Sequence, residues 1–339
     1  MRTADFDYDL PRELIAQEPA TPRDASRLMV LKREDQSLAH MVFRDLPGLL
    51  RRGDLLVVND TRVMAARLFG RRTDTGGAVE ILLIRPLSDL RWEAMMGPAR
   101  QAQPGRAFDF DARDGPLRAV TVERTAGIVT LDFERPIDPG TVGSVPLPPY
   151  ITGYRGDPER YQTIYAREPT SAAAPTAGLH FTNELLQRVR DGGVGVAPVR
   201  LDVGPGTFKP VSVEDPHDHN LHAEYVAVPP TTAAAIATTR ASAGRVVAVG
   251  TTVVRTLEHV ARTAGGDVVP YEGSTSLRIL PGDPFLVVDA LITNFHLPRS
   301  TLLMLVSAFA GSEWTLECYG LAVRERYRFY SFGDAMFIA

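Results

Sequence analysis

Two histidines, each a few residues ahead of a helix start, are the side chains here best suited to move a proton near neutral pH. His180 lies in Pro175-Thr-Ala-Gly-Leu-His-Phe-Thr182, where proline and glycine bracket a tight turn and Thr182 is placed to cap a helix over 182–190. His296 closes the polar loop Thr293-Asn-Phe-His. That loop separates an apolar run, 285–292, which reads as a buried strand, from an apolar stretch in which Ser300 or Thr301 can cap a helix reaching Gly311. A lone histidine before a helix is more often a packing or capping residue, so each needs partners before it counts as chemistry.

A third segment, Val246-Val-Ala-Val-Gly-Thr-Thr252, turns a strand into a helix through glycine and two hydroxyls. Free amides and the positive end of a helix dipole favour a carboxylate or phosphate there. The glycine spacing is neither that of a Walker loop nor that of the dinucleotide fingerprint. Glu258 and Arg262, four apart, read as an exposed pair supporting the helix face. A fourth cluster, His217, His219, His222 and Glu224, follows an Asp215-Pro216 turn and has no His-Glu-x-x-His spacing, so no metal is expected. Residues 201–210 form a strand breaking into a glycine-rich loop.

These segments need a scaffold, and a chain of 339 residues is long enough for two domains. Hydrophobic residues make up 44% and charged residues 23%, ordinary for a soluble globular protein. No apolar stretch reaches the ~18–20 residues that span a bilayer, and no signal region opens the chain. The single cysteine, Cys318, excludes an intrachain disulfide and a thiolate-rich metal site. The expected compartment is the cytoplasm. Net charge is −4, yet between Arg44 and Arg72 seven arginines face three aspartates, a local surplus of four. That tract is either a phosphate-binding strip or a solvated face.

From residue 54 a clear strand ends on Asn59-Asp-Thr-Arg62, and residues 80–84, 120–123 and 128–133 are short strands between turn residues. After 155, helices and strands alternate, with strands at 194–203 and 246–250. The pattern predicts an α/β fold: a discontinuous layered α/β domain (1–65 and 155–339) with a small β-barrel domain, 66–154, inserted in it.

Taken together and in order, the segments Phe6-Asp-Tyr-Asp-Leu10, Arg23-Asp-Ala-Ser-Arg27, Gly53 to Arg62, Pro146-Leu-Pro-Pro-Tyr150, Arg160-Tyr-Gln-Thr163, Pro175 to Phe181, Val249-Gly-Thr-Thr252, Asp289 to Gly311 and Arg324 to Met336 resemble the S-adenosylmethionine:tRNA ribosyltransferase-isomerases of queuosine biosynthesis. The resemblance covers essentially the whole chain. It implies transfer and isomerisation of the ribosyl group of S-adenosylmethionine onto 7-aminomethyl-7-deazaguanine at the tRNA wobble position. Epoxyqueuosine forms, and adenine and methionine leave. S-adenosylmethionine is then a co-substrate, and no cofactor is implied.

On that resemblance, His180, His296, Glu224, His222 and Asn294 are expected in catalysis. Thr176, Gly178, Gly250, Thr251, Thr252, Arg255, Asp60 and Arg62 are expected to bind substrate. Arg51, Arg52, Arg71, Arg72 and Tyr150 are expected to bind the tRNA anticodon loop, with Tyr154 and Tyr161 as further stacking surfaces. A monomer without membrane association is expected. The chain departs from the family's pattern at Asp202, where a histidine is usual, at Leu221 and Ala223, and at Val253. These departures leave two other readings: a paralogue using a different acceptor, and a non-catalytic RNA-binding relic. The presence of His180, Asn294, His296, Arg255 and Glu224 argues against the relic.

Overall fold

Val246–Val249 is apolar at every position because the strand is covered on both faces, as parallel strands in layered folds are. The computed structural model describes residues 1–125, 127–204, 211 and 213–339. They fall into two units, Met1–Thr61 with Pro149–Arg167 and Ala174–Ala339, and Arg62–Pro148 with Glu168–Ala173. Among the described residues no helix is long and apolar enough to cross a membrane.

The larger unit holds a sheet of nine strands: β1 (Arg27–Lys32), β2 (Ser37–Val42), β3 (Leu55–Asn59), β4 (Gly195–Leu201), β5 (Glu224–Val228), β6 (Val246–Val249), β7 (Tyr271–Thr275), β8 (Ala290–Asn294) and β9 (Ala335–Ile338). Their order is β7-β5-β4-β3-β6-β8-β9-β1-β2, and the four strands β4, β3, β6 and β8 run parallel. Alternate residues go to opposite cores. Leu55, Val57, Val246, Ala248 and Leu291 pack with residues of α2 (Pro230–Ala241), α3 (Thr251–Thr263), α4 (Thr301–Ala310) and α5 (Ser312–Arg324). Leu56, Val58, Val247, Val249 and Ile292 pack with α1 (Asn183–Asp191) and with Phe43 and Leu46. α1 begins where Thr182 Oγ1 accepts the Leu185 amide, and it buries Leu185, Leu186 and Val189 on one stripe.

The smaller unit is a closed six-stranded barrel, with Ala78–Pro86, Arg91–Gly97 and Gly115–Thr125 among its strands. Inward side chains such as Ile81, Leu83, Phe108, Phe110 and Leu131 fill it. Its outer face carries arginine–carboxylate pairs, Arg85–Glu93 at 2.6 Å and Arg118–Asp109 at 2.8 Å among them. The α/β fold with an antiparallel barrel is the architecture expected from the sequence. Glu168–Ala173 groups with the barrel because Pro169–Ser171 pairs in parallel with Arg62–Val63.

Two local expectations are corrected. The strand expected over 285–292 is Ala290–Asn294, shifted toward the polar loop. The residues ahead of it dock instead on Glu258, whose carboxylate accepts the amides of Leu286 (2.8 Å), Val287 (3.0 Å) and Val288 (3.1 Å). Glu258 is therefore a fully buried anchor and not half of an exposed helix pair. Removing a carboxylate that satisfies several buried amides leaves each of them with a desolvation cost of about 1–3 kcal/mol. Glu258→Ala is expected to lower stability by about 3–6 kcal/mol, read as a fall in the denaturant midpoint at constant slope. A change within about 0.5 kcal/mol would contradict the anchoring role.

Candidate active site

The parallel strands β4, β3, β6 and β8 all end at one edge of the sheet, where open α/β folds place their ligands. Leu201, Asn59, Val249 and Asn294 are their last residues. Asn59 is fully buried and straps β3 to β4: its Oδ1 accepts the Leu201 amide (3.1 Å) and its Nδ2 donates to the Leu201 carbonyl (2.9 Å). Above this edge lies a cavity of about 40 Å³ that opens to solvent. Thr176, Gly250, Thr251, Thr252, Asn294, His296 and Tyr330 line it, with Ala174, Pro175, Val203 and Leu302 among its apolar walls.

Gly250 makes the turn into α3 with φ of +95°, a conformation that L side chains rarely adopt. The helix start is uncapped by any side chain, and the amides of Thr251 and Thr252 have no acceptor among the described residues. Two orphan donors and a dipole end thus face the cavity. Gly178 does not line it: a Cβ there would collide with the Tyr165 hydroxyl, so this glycine serves close packing.

His180 is 4% exposed and stacks on Phe43 at 4.9 Å between ring centroids. Its Nδ1 pairs with Ser26 Oγ at 2.7 Å, and its Nε2 with Asn294 Nδ2 at 3.1 Å. Burial, helped by the Arg328 and Arg23 charges, pushes its pKa down to about 3. The expectation that it titrates near neutrality is therefore corrected: it is a neutral, fully partnered ring. His296 lines the cavity, pairs through Nε2 with Thr293 Oγ1 at 2.8 Å, and is also pushed to about 3 by burial. Its backbone is clamped by Tyr8, which donates to its carbonyl, and by Tyr319 Oη, which accepts its amide at 3.1 Å.

Glu224 and Arg255 form a buried ion pair. Glu224 also accepts the Gly204 amide at 2.8 Å, while Arg255 Nε donates to the Leu277 carbonyl at 3.0 Å. Neither lines the cavity above α3; Arg255 borders a second, smaller cavity that shares Leu302 with it. Arg255 Nη2 is buried without a partner among the described residues. His222 is exposed and lies outside the cavity lining, so no catalytic geometry gathers around it. Asp60 pairs with Arg167 at 3.5 Å, and Arg62 belongs to the barrel unit. Among the described residues no group of three or more His, Cys, Asp or Glu is arranged to hold a metal ion. Residues 205–210 of the glycine-rich loop lie outside the described residues.

The expected RNA-binding residues are dispersed. Arg51 and Arg52 precede β3, at the edge of the sheet opposite the cavity. Arg71 is exposed, but Arg72 is paired with Asp74 and donates to Gln101 at 3.0 Å, so its charge is already compensated. Tyr150 packs on Tyr330 at 4.0 Å and bonds through its hydroxyl to Ser331. Tyr161 is fully buried and offers no stacking surface. The sequence reading missed Ser26, Thr293, Tyr330 and Ser331 as site residues, although all stood in motifs already singled out. Tyr330 has φ of +75°, a backbone strain that residue type does not announce.

The two buried histidines make stability depend on pH. Unfolded, each binds a proton below about 6.5; folded, only near about 3. In that window the unfolded chain holds more protons, so stability rises with pH, is complete above 6.5 and is lost as pH falls toward 3. Each contributes a slope of up to about 1.4 kcal/mol per pH unit. His180→Gln and His296→Gln should each flatten the dependence of unfolding free energy on pH between 6 and 4 by about one proton. Slopes unchanged in both variants would mean that the histidines titrate normally in the folded protein.

The family model for queuosine biosynthesis proteins matches residues 3–338. The chain is 54% identical over 343 residues to the S-adenosylmethionine:tRNA ribosyltransferase-isomerase of Symbiobacterium thermophilum and 52% identical over 343 residues to that of Moorella thermoacetica, in each case across the whole of both chains. The crystal structure of the S-adenosylmethionine tRNA ribosyltransferase of Thermotoga maritima aligns with a TM-score of 0.58 at 42% identity, covering 99% of this chain and 100% of that one. On this full-length match, the chain belongs to the queuosine biosynthesis family of S-adenosylmethionine:tRNA ribosyltransferase-isomerases.

Proposed function

We propose that this protein moves and isomerises the ribosyl group of S-adenosylmethionine onto 7-aminomethyl-7-deazaguanine at the wobble position of tRNA, giving epoxyqueuosine and releasing adenine and methionine. The full-length identity of about half to enzymes of that name carries the reading. The other two readings, a paralogue with another acceptor and an RNA-binding relic, draw no support from these relatives. A tRNA substrate would put the reaction in the cytoplasm.

The chemistry begins at the sulfonium, which acidifies the neighbouring C5′ protons. A base removes one, the ribose opens, and adenine leaves. The substrate amine then attacks the unsaturated sulfonium, and methionine departs in closing the product. S-adenosylmethionine is consumed as a co-substrate, and the activation comes from its own positive sulfur.

We assign the proton-accepting role to His296 rather than His180, since His296 lines the cavity and His180 does not. The helix start at Thr251 and Thr252 is suited to the methionine carboxylate. Arg51, Arg52 and Arg71 are assigned to RNA phosphates, and Tyr150 to the edge of the nucleotide site.

Incubation with S-adenosylmethionine and precursor-bearing tRNA, followed by nucleoside mass spectrometry, should reveal epoxyqueuosine together with free adenine. Turnover of S-adenosylmethionine without any change in the tRNA would overturn the assignment of acceptor. Thr251→Val, which removes one hydroxyl at constant volume, should raise the Kd for S-adenosylmethionine by about 3- to 10-fold and leave tRNA affinity unaltered. Equal weakening of both ligands would contradict a carboxylate site there.

A further inference from the structure

Asn294 is 3% exposed, lines the cavity, and has a divided amide. Its Nδ2 donates to the Tyr330 carbonyl at 3.0 Å and faces His180 Nε2 at 3.1 Å. Its Oδ1 is buried with no partner among the described residues. A carbonyl oxygen can only accept, so the atom facing Tyr330 must be the amide nitrogen, and the flipped amide would set two oxygens against each other. Because that nitrogen only donates, His180 Nε2 must be the bare, accepting nitrogen. The ring proton then sits on Nδ1, 2.7 Å from Ser26 Oγ, which itself donates onward toward the Arg23 carbonyl at 3.4 Å. Ser26, His180 and Asn294 thus form one polarised chain whose last free atom is an acceptor at the cavity.

An unpaired buried acceptor is costly, and few persist in folded proteins without a ligand or a functional reason. The backbone amides at this cavity that lack partners among the described residues, those of Thr251 and Thr252, are donors. The cavity therefore has two chemically distinct ends, one made for an anion and one made for an O–H or N–H.

We propose that Asn294 Oδ1 accepts a hydrogen bond from an O–H or N–H of the nucleoside part of S-adenosylmethionine, and that His180 is a positioning residue that fixes this acceptor and carries no proton in the reaction. The proposal rests on the reading that this cavity binds S-adenosylmethionine. His180 touches Asn294 and not the cavity above α3, which is how a positioning group differs from the base. Its Nε2 need only be an acceptor at the right distance, a task that the glutamine Oε1 can also perform.

The test compares His180→Gln, His180→Leu and Asn294→Leu with the wild type, each checked for folding by thermal melting. Binding of S-adenosylmethionine and of 5′-methylthioadenosine, which lacks the amino-acid part, is measured by calorimetry, with kcat and KM across pH 5.5–9. Asn294→Leu should weaken both ligands by roughly 10- to 100-fold, the range of an unmet buried acceptor. His180→Leu should raise KM by a similar factor, and His180→Gln should recover most of that loss with a pH profile matching the wild type.

A folded His180→Gln as inactive as His180→Leu, or one missing a limb of the pH profile, would make His180 a proton carrier and overturn the proposal. Weakening of S-adenosylmethionine alone by Asn294→Leu would move the contact to the amino-acid end and overturn it as well. Failure of the wild type to bind either ligand would instead strike the reading of the cavity itself, so the two failures are distinguishable.

Discussion

Three of the four parallel strands, β3, β6 and β8, are covered on both faces and leave no place for a polar side chain except at or beside their ends, and the remaining structure follows from that exclusion. Each strand alternates between two separate cores, so neither face can carry a hydroxyl, amide or charge without burying it unpaired. Polar residues gather at the two edges and become the fixings of the sheet. At the amino edge Asp54 pairs with Arg245 at 2.6 Å and accepts the Arg51 amide at 2.8 Å, while Asp289 accepts the Val246 amide at 2.7 Å. At the carboxyl edge Asn59 does the same for β3 and β4. Asn294 is the exception: it ends β8 with one of its atoms unmet.

A tightly fixed edge has electrostatic consequences for a cationic substrate. Burial holds both histidines neutral, so no imidazolium repels a sulfonium brought into the cavity. Two buried carboxylates of this unit are tied down as well, Glu224 by Arg255 and Glu258 by three amides. At the cavity itself the fixed dipoles are the α3 start and the Asn294 amide. Preorganised dipoles in a low-dielectric site need not reorient as charge develops, which is the main physical source of electrostatic catalysis.

Much of this was legible in the sequence. Apolar runs without polar faces announced the buried parallel strands, and turn-separated short strands announced the barrel. Gly250, Thr251, Thr252, Asn294 and His296 were readable because a strand, a polar break and a helix start occur in immediate succession. What escaped depends on tertiary partners. Glu258 and Arg262 have the spacing of an exposed pair, and nothing local tells that three amides from 286–288 will fold onto Glu258. His180 has the sequence setting of a titrating histidine, but Phe43 and Ser26, far along the chain, desolvate and orient it. Charge counting along the chain is incomplete for the same reason. The surplus between Arg44 and Arg72 takes no account of Asp74 beside Arg72 or of Glu80, 2.8 Å from Arg67.

Asp202 shows how a departure from a family pattern can be absorbed. It follows β4 at the carboxyl edge, where the resemblance calls for histidine. Its carboxylate accepts from Thr61 Oγ1 at 2.8 Å and from Arg200 Nη2 at 3.0 Å. A histidine beside an arginine would be held neutral, so the charge of Arg200 would stand uncompensated at this edge. With aspartate there, the pair carries no net charge, and Thr61, at the end of the β3 turn, gains a fixed acceptor. The substitution therefore changes the electrostatics of the edge without adding an ionisable group that titrates near neutrality. Among the described residues that line the cavity, His296 alone is an imidazole.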